Sequence, residues 1–138
     1  MADAQTDALY PTDPVDVLVV DDSPDTCRAI KRLLRTAGHT AACLPDGAAA
    51  LEYLAECKPG VVLLDLMMPG IDGMEVLRRM RREPALADVP VILYTAVSDP
   101  DVWRQGLKLG AQQVALKSGG WDVLYPLLRP YLTAGLPN

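Results

Sequence analysis

Four short apolar runs each lead into a residue that can do chemistry. Val17-Leu18-Val19-Val20 leads into Asp21-Asp22, and Val61-Val62-Leu63-Leu64 into Asp65. Val91-Ile92-Leu93-Tyr94 leads into Thr95, and Val114-Ala115-Leu116 into Lys117. Brought together, these residues supply three carboxylates, a hydroxyl and an ammonium. A carboxylate can attack a phosphoryl group and become an aspartyl phosphate. A lysine, a hydroxyl and a metal ion can neutralise the three phosphoryl oxygens in the transition state. Carboxylates at short range raise one another's pKa, so the cluster needs counter-charge. Lys117 is one candidate and a bound divalent cation is the other. All-oxygen ligands favour a hard ion, and a site with few carboxylates that serves phosphate chemistry favours Mg²⁺.

The elements that must position these residues can be read from the same pattern. Short runs rich in β-branched residues are typical of strands buried on both faces of a parallel sheet. Ligands of open α/β sheets bind beyond the carboxyl ends of the strands, where all four runs deliver their polar residues. Helical patterns alternate with the runs. Ser23 can cap a helix with Pro24 at its first position, carrying Ile30, Leu33, Leu34 and Ala37 and stopped by Gly38. A weak strand, Ala41 to Leu44, follows. Asp46 can cap a second helix with Ala50, Leu51, Leu54 and Ala55 on one face, ended by Pro59-Gly60. A third helix begins near Asp72 and carries Met74, Val76, Leu77 and Met80. Asp99-Pro100 starts a fourth, bearing Trp103, Leu107 and Gly110. A final segment runs from about Asp122 to Leu132, with Asp122 as cap. Five βα units with short links predict a parallel sheet covered on both faces. Residues 1–14 and 133–138 read as tails around one domain, 15–132.

Bulk properties exclude several classes. The chain has 138 residues, half of them hydrophobic and 22% charged, enough for one domain. Phe is absent, so the core must be aliphatic. A net charge of -5 argues against direct nucleic-acid binding. No apolar stretch can span a bilayer, and the acidic N-terminus lacks the h-region of a signal peptide. Cys27, Cys43 and Cys57 are odd in number, and no two are separated by just two residues. They read as small buried hydrophobes in a reducing cytoplasm. His39, after the Gly38 stop, reads as a loop histidine. Trp103 and Trp121 read as half-buried packing residues. Arg78-Arg79 and Arg81-Arg82 read as a solvated helix face.

The chain resembles the receiver domain of two-component response regulators over about residues 15–132. The matching pieces are Val19-Val20-Asp21-Asp22-Ser23, Asp65-Leu66-Met67-Met68-Pro69-Gly70-Ile71-Asp72-Gly73, Thr95-Ala96, Leu109-Gly110-Ala111 and Lys117. Their order and spacing together are specific, and Asp65 to Gly73 is the strongest piece. The resemblance implies a flavodoxin-like (βα)5 fold, with a five-stranded parallel sheet of order 2-1-3-4-5. It implies a phosphorylation site at Asp65, supplied by a histidine kinase or histidine phosphotransfer protein. It further implies Mg²⁺ held directly by Asp22, Asp65 and the Met67 carbonyl, with Asp21 acting mainly through water. Thr95 would bind one phosphoryl oxygen and Lys117 another. Such a domain is cytoplasmic, a monomer or weak dimer, and passes its signal by contact with a downstream protein. The chain ends soon after its last helix, so no attached output domain is expected.

Three departures from the family cluster on the face that receivers commonly use for output. Ser118 follows the lysine where the family usually has proline, so a trans peptide and a looser loop are expected. Val114 stands where a signalling aromatic is common. Pro126 should fall harmlessly in the first turn of the last helix, whereas Pro130 should bend or end it. These departures motivate a rival reading, a degenerate receiver acting as a phosphorylation-independent interaction module. An aspartate-dependent phosphohydrolase would need a second acid two residues after the nucleophile, where Met67 stands.

Overall fold

The apolar runs form four strands, and the weaker Ala41–Leu44 forms a fifth. The structure, a computed structural model, describes residues 14–132. Apart from Pro14, both expected tails lie outside the described residues. In chain order the strands are β1 (Val17–Val20), β2 (Ala41–Leu44), β3 (Val61–Leu64), β4 (Val91–Thr95) and β5 (Gln113–Leu116). All pair in parallel, in the order β2-β1-β3-β4-β5. The central strands β1, β3 and β4 are buried at every position, which accounts for their unbroken apolar character. The edge strands β2 and β5 are only partly buried, and their sequences are correspondingly weaker.

The helices are α1 (Pro24–Thr36), α2 (Gly47–Glu56), α3 (Gly73–Arg82), α4 (Pro100–Lys108) and α5 (Trp121–Leu128). Ser23, Asp46, Asp72 and Asp99 each accept a backbone N–H in the first turn of the helix they cap. Each cap contributes about 1 kcal/mol. On one face of the sheet, Ala50, Tyr53 and Leu54 of α2 pack with Val76, Leu77 and Met80 of α3 and with Val102 of α4. On the other, Ile30 and Leu34 of α1 pack with Leu124 and Leu128 of α5.

Register brings the site together. Val20 pairs with Leu64, so Asp21 and Asp65 leave the sheet side by side. Thr95 pairs with Leu116, so Lys117 emerges beside the end of β4.

Several expectations need correction. The last helix starts at Trp121, with Gly120 rather than Asp122 at its cap position and no side-chain cap. Pro126 is then the sixth helical residue, beyond the first turn, and the Asp122 carbonyl loses its usual intrahelical donor. The helix ends at Leu128, before a 3₁₀ turn, Arg129–Tyr131, that contains Pro130. In α4 the buried position is Gly106; Leu107 is 45% exposed and Gly110 lies past the helix end. A Cβ on Gly106 would come within 2.2 Å of Leu93 Cδ1, so the absent side chain lets α4 lie close to β4. On α2, Tyr53 rather than Ala55 is buried.

Arg81 is not merely solvated. Its Nη2 donates to the Gly110 carbonyl at 2.8 Å, tying α3 to the loop before β5, and its Nη1 donates to the Leu86 carbonyl at 3.3 Å in the loop that follows α3. His39 does lie in a loop, but it is buried, with Nε2 3.1 Å from the Tyr125 hydroxyl. Cys27 and Cys43 are not separate thiols: they form a disulfide between α1 and β2. Strand pairing sets Val19 beside Cys43 on the face that α1 covers, so the two Cα atoms stand 5.9 Å apart.

Candidate functional site

The β1 and β3 ends meet in one acidic cluster. Carboxylate oxygens of Asp21, Asp22 and Asp65 all lie within 4.8 Å of one another. Asp21 and Asp65 are buried, while Asp22 is exposed at the mouth. Backbone amides hold the two buried carboxylates. Ser23 N–H donates to Asp21 Oδ1 at 2.9 Å, and Met67 N–H donates to Asp65 Oδ1 at 3.2 Å.

Lys117 reaches in from the end of β5. Its Nζ lies 2.8 Å from Asp21 Oδ2 and 3.4 Å from Asp65 Oδ2, and 5.8 Å from the centre of the Tyr94 ring. One ammonium thus bridges two carboxylates of a three-carboxylate cluster. Burial pushes the Asp65 carboxyl above the ordinary range; Asp21 adds to that, while the Met67 amide and Lys117 oppose it. For Lys117, burial acts downward, but hydrogen bonding and charge attraction from the two aspartates outweigh it, and its net direction is up.

All the side-chain donors in the acidic cluster are oxygens, a set that can hold a hard divalent ion. The deficit of positive charge points the same way. The three aspartates therefore fit a hard divalent cation.

Thr95 ends β4, fully buried. Val97 N–H donates to its Oγ1 at 3.0 Å, and the Trp103 indole N–H donates to the Val97 carbonyl at 2.7 Å. The Thr95 hydroxyl proton is left able to bond a further acceptor. Trp103 is half-buried as expected, and its hold on the β4–α4 loop depends on a fold-back that sequence spacing does not reveal. The Tyr94 ring beneath Lys117 was likewise hidden, because Tyr94 read simply as strand core. Met67 stands two residues after Asp65, its amide turned to the carboxylate and its residue 66% exposed. Gly73 closes the same loop. A Cβ there would come within 2.2 Å of the Asp65 carbonyl oxygen, so only glycine lets α3 start against the end of β3. The Lys117-Ser118 bond is trans, as are all peptide bonds among the described residues.

A family model for the response regulator receiver domain matches residues 17–128. The chain belongs to that family. As a receiver, it shares the family's standard function, acceptance of a phosphoryl group. It is 38% identical over 101 residues to the DNA-binding response regulator MtrA of Mycolicibacterium smegmatis, covering 73% of this receiver and 43% of MtrA. It is 41% identical over 115 residues to the C4-dicarboxylate transport transcriptional regulatory protein DctD of Pseudomonas aeruginosa, covering 82% of this receiver and 24% of DctD. The chain therefore spans less than half the length of these two curated relatives. Among solved structures, the BeF3-activated N-terminal receiver domain of Klebsiella pneumoniae RstA superposes with a TM-score of 0.78 at 32% identity. That match covers 85% of this chain and 97% of the RstA domain. Among the described residues, no helix is long and apolar enough to cross a membrane.

Proposed function

We propose that Asp65 is the phosphoryl acceptor of this receiver and that Asp21, Asp22, Thr95 and Lys117 serve the transfer to it. The observation that carries this reading is the convergence on Asp65 of a bridging lysine and two further carboxylates at the carboxyl edge of the sheet.

Asp22, Asp65 and the Met67 carbonyl would hold Mg²⁺, with Asp21 acting mainly through water. When bound, the ion supplies charge neutralisation at the phosphoryl oxygens. An Asp65 oxygen forms the new bond to phosphorus as the bond to the donor's histidine nitrogen breaks, leaving an aspartyl phosphate and a neutral imidazole. Lys117 shifts its pairing from the free carboxylate toward a phosphoryl oxygen. Thr95 donates its hydroxyl proton to another oxygen. The Met67 amide holds the Asp65 carboxylate before transfer.

The donor is a histidine kinase or a histidine phosphotransfer protein in the cytoplasm. The signal leaves by contact with a downstream protein; the net charge of -5 disfavours a nucleic-acid surface on this domain.

Phosphotransfer profiling against a panel of purified histidine kinases tests the reading. At least one kinase should label the wild type rapidly in the presence of Mg²⁺, and Asp65→Asn should take no label. Equal labelling of the Asn variant would overturn it.

A further inference from the structure

The Cys27–Cys43 disulfide joins the first turn of α1 to the edge strand β2, across a separation of 16 residues. Both cysteines are partly exposed. Both line an open cavity of about 260 Å³ whose wall also includes Asp21, Asp22, Arg28 and Lys31. The cysteine pair therefore borders a solvent-open cavity that it shares with Asp21 and Asp22 of the acidic cluster.

Cys27 also touches the site itself. Its Sγ lies 3.4 Å from the backbone carbonyl oxygen of Asp21. A Cys27 thiol can donate a hydrogen bond to that carbonyl, whereas a disulfide sulfur carries no hydrogen and cannot. Oxidation therefore replaces a hydrogen bond to the end of β1 with a covalent tie between α1 and β2. Disulfides of reducing compartments are characteristically transient and redox-sensing. Residues at the reactive end of a signalling domain suit that role better than a permanent staple does.

We propose that Cys27 and Cys43 form a reversible dithiol–disulfide site that exchanges with low-molecular-weight disulfides and sets the geometry of the Asp21-Asp22 strand end. In the first step one cysteine thiolate attacks a sulfur of the small disulfide. A mixed disulfide forms and one small thiolate leaves. The second cysteine thiolate then attacks the protein-bound sulfur, closing the Cys27–Cys43 bond and expelling the second small thiolate. The protein dithiol loses two electrons, the small disulfide gains them, and the two thiol protons pass to the two departing thiolates. The effect on metal binding rests on the proposed role of Asp21 and Asp22, and the choice of reversible exchange over a permanent bond rests on the proposed cytoplasmic location.

The test uses the full chain carrying Cys57→Ser, equilibrated with mixtures of reduced and oxidised glutathione. Intact mass should switch reversibly between the dithiol and a form lighter by two hydrogen atoms. The oxidised form should melt about 5 °C or more higher, because the bond restricts the unfolded chain. Its Mg²⁺ affinity by calorimetry should differ from that of the dithiol form by at least about twofold, because oxidation removes the hydrogen bond to the Asp21 carbonyl and ties α1 to β2 instead. With Cys43→Ser added, Cys27 should trap one glutathione and the melting shift should vanish. Failure to oxidise, glutathione adducts that never resolve, or a bond that resists excess reduced glutathione would overturn the exchange site. Equal Mg²⁺ affinities of the two forms would overturn the link to the strand end. Absence of Mg²⁺ binding in both forms would overturn the metal reading and that link together, while the mass readout would still decide the exchange.

Discussion

Lys117 Nζ lies nearer to Asp21 than to the proposed acceptor Asp65, at 2.8 Å against 3.4 Å. The single ammonium is therefore shared, and its stronger tie is to the residue expected to act on the metal through water. Lys117→Ala would leave two buried carboxylates side by side with no internal cation. The variant should lose about 2 kcal/mol, less than a fully buried pair because the Lys117 side chain is 25% exposed. Millimolar Mg²⁺ should recover part of the loss. Thermal denaturation with and without the ion checks both points, and unchanged melting in its absence would contradict the bridging role.

Asp65→Asn should be more stable than the wild type near neutral pH. The Asp65 carboxyl titrates above its ordinary value of 3.8, chiefly because it is buried. Between that value and its folded-state pKa, the folded protein binds more protons than the unfolded chain. The contribution of Asp65 is thus fully present below pH 3.8 and is lost as pH rises through the folded pKa. The advantage of the Asn variant should grow across that window and vanish below it. Chemical denaturation across a pH series measures this, and an advantage independent of pH would contradict it.

Gly73→Ala should cost more than about 3 kcal/mol, because its Cβ would meet backbone rather than a movable side chain. The clash falls on the Asp65 carbonyl, so phosphoryl incorporation should slow as well. Melting and labelling rates on the same preparation test the pairing of the two effects. A folded variant of normal stability would show that the start of α3 yields more easily than this contact suggests.

Asp22→Ala should weaken divalent-ion binding about tenfold or more, and Asp21→Ala by less. Asp22 is exposed at the mouth of the cluster, whereas Asp21 is buried and already paired with Lys117. Titration calorimetry with Mg²⁺ on both variants decides. Equal losses would contradict the division between direct and water-mediated ligands.

The site was legible in the sequence because strand ends and strand order determine it. Once Val17–Val20 and Val61–Leu64 lie in parallel register, Asp21 and Asp65 have to emerge together. The caps at Ser23, Asp46, Asp72 and Asp99 were legible for a similar reason, since each is a local hydrogen bond within a few residues. What escaped was set by distant packing. Arg81 finds its carbonyl partner 29 residues away at Gly110, and His39 finds Tyr125 86 residues away. The Cys27–Cys43 bond depends on β2 lying at the sheet edge beneath α1, which cysteine spacing does not encode. The start of α5 at Trp121 followed from the 3₁₀ turn Lys117–Gly119, which carries the chain directly into the helix and leaves Asp122 inside its first turn.

Reductive trapping decides whether Asp65 alone carries the phosphoryl group. An acyl phosphate is reduced by borohydride to an alcohol, so a phosphorylated aspartate becomes homoserine. The chain should be phosphorylated with acetyl phosphate and Mg²⁺, reduced, digested and sequenced by tandem mass spectrometry. Homoserine is expected at position 65 and at no other aspartate. Homoserine at Asp21 or Asp22, or none anywhere in a protein that has gained a phosphoryl mass, would contradict it.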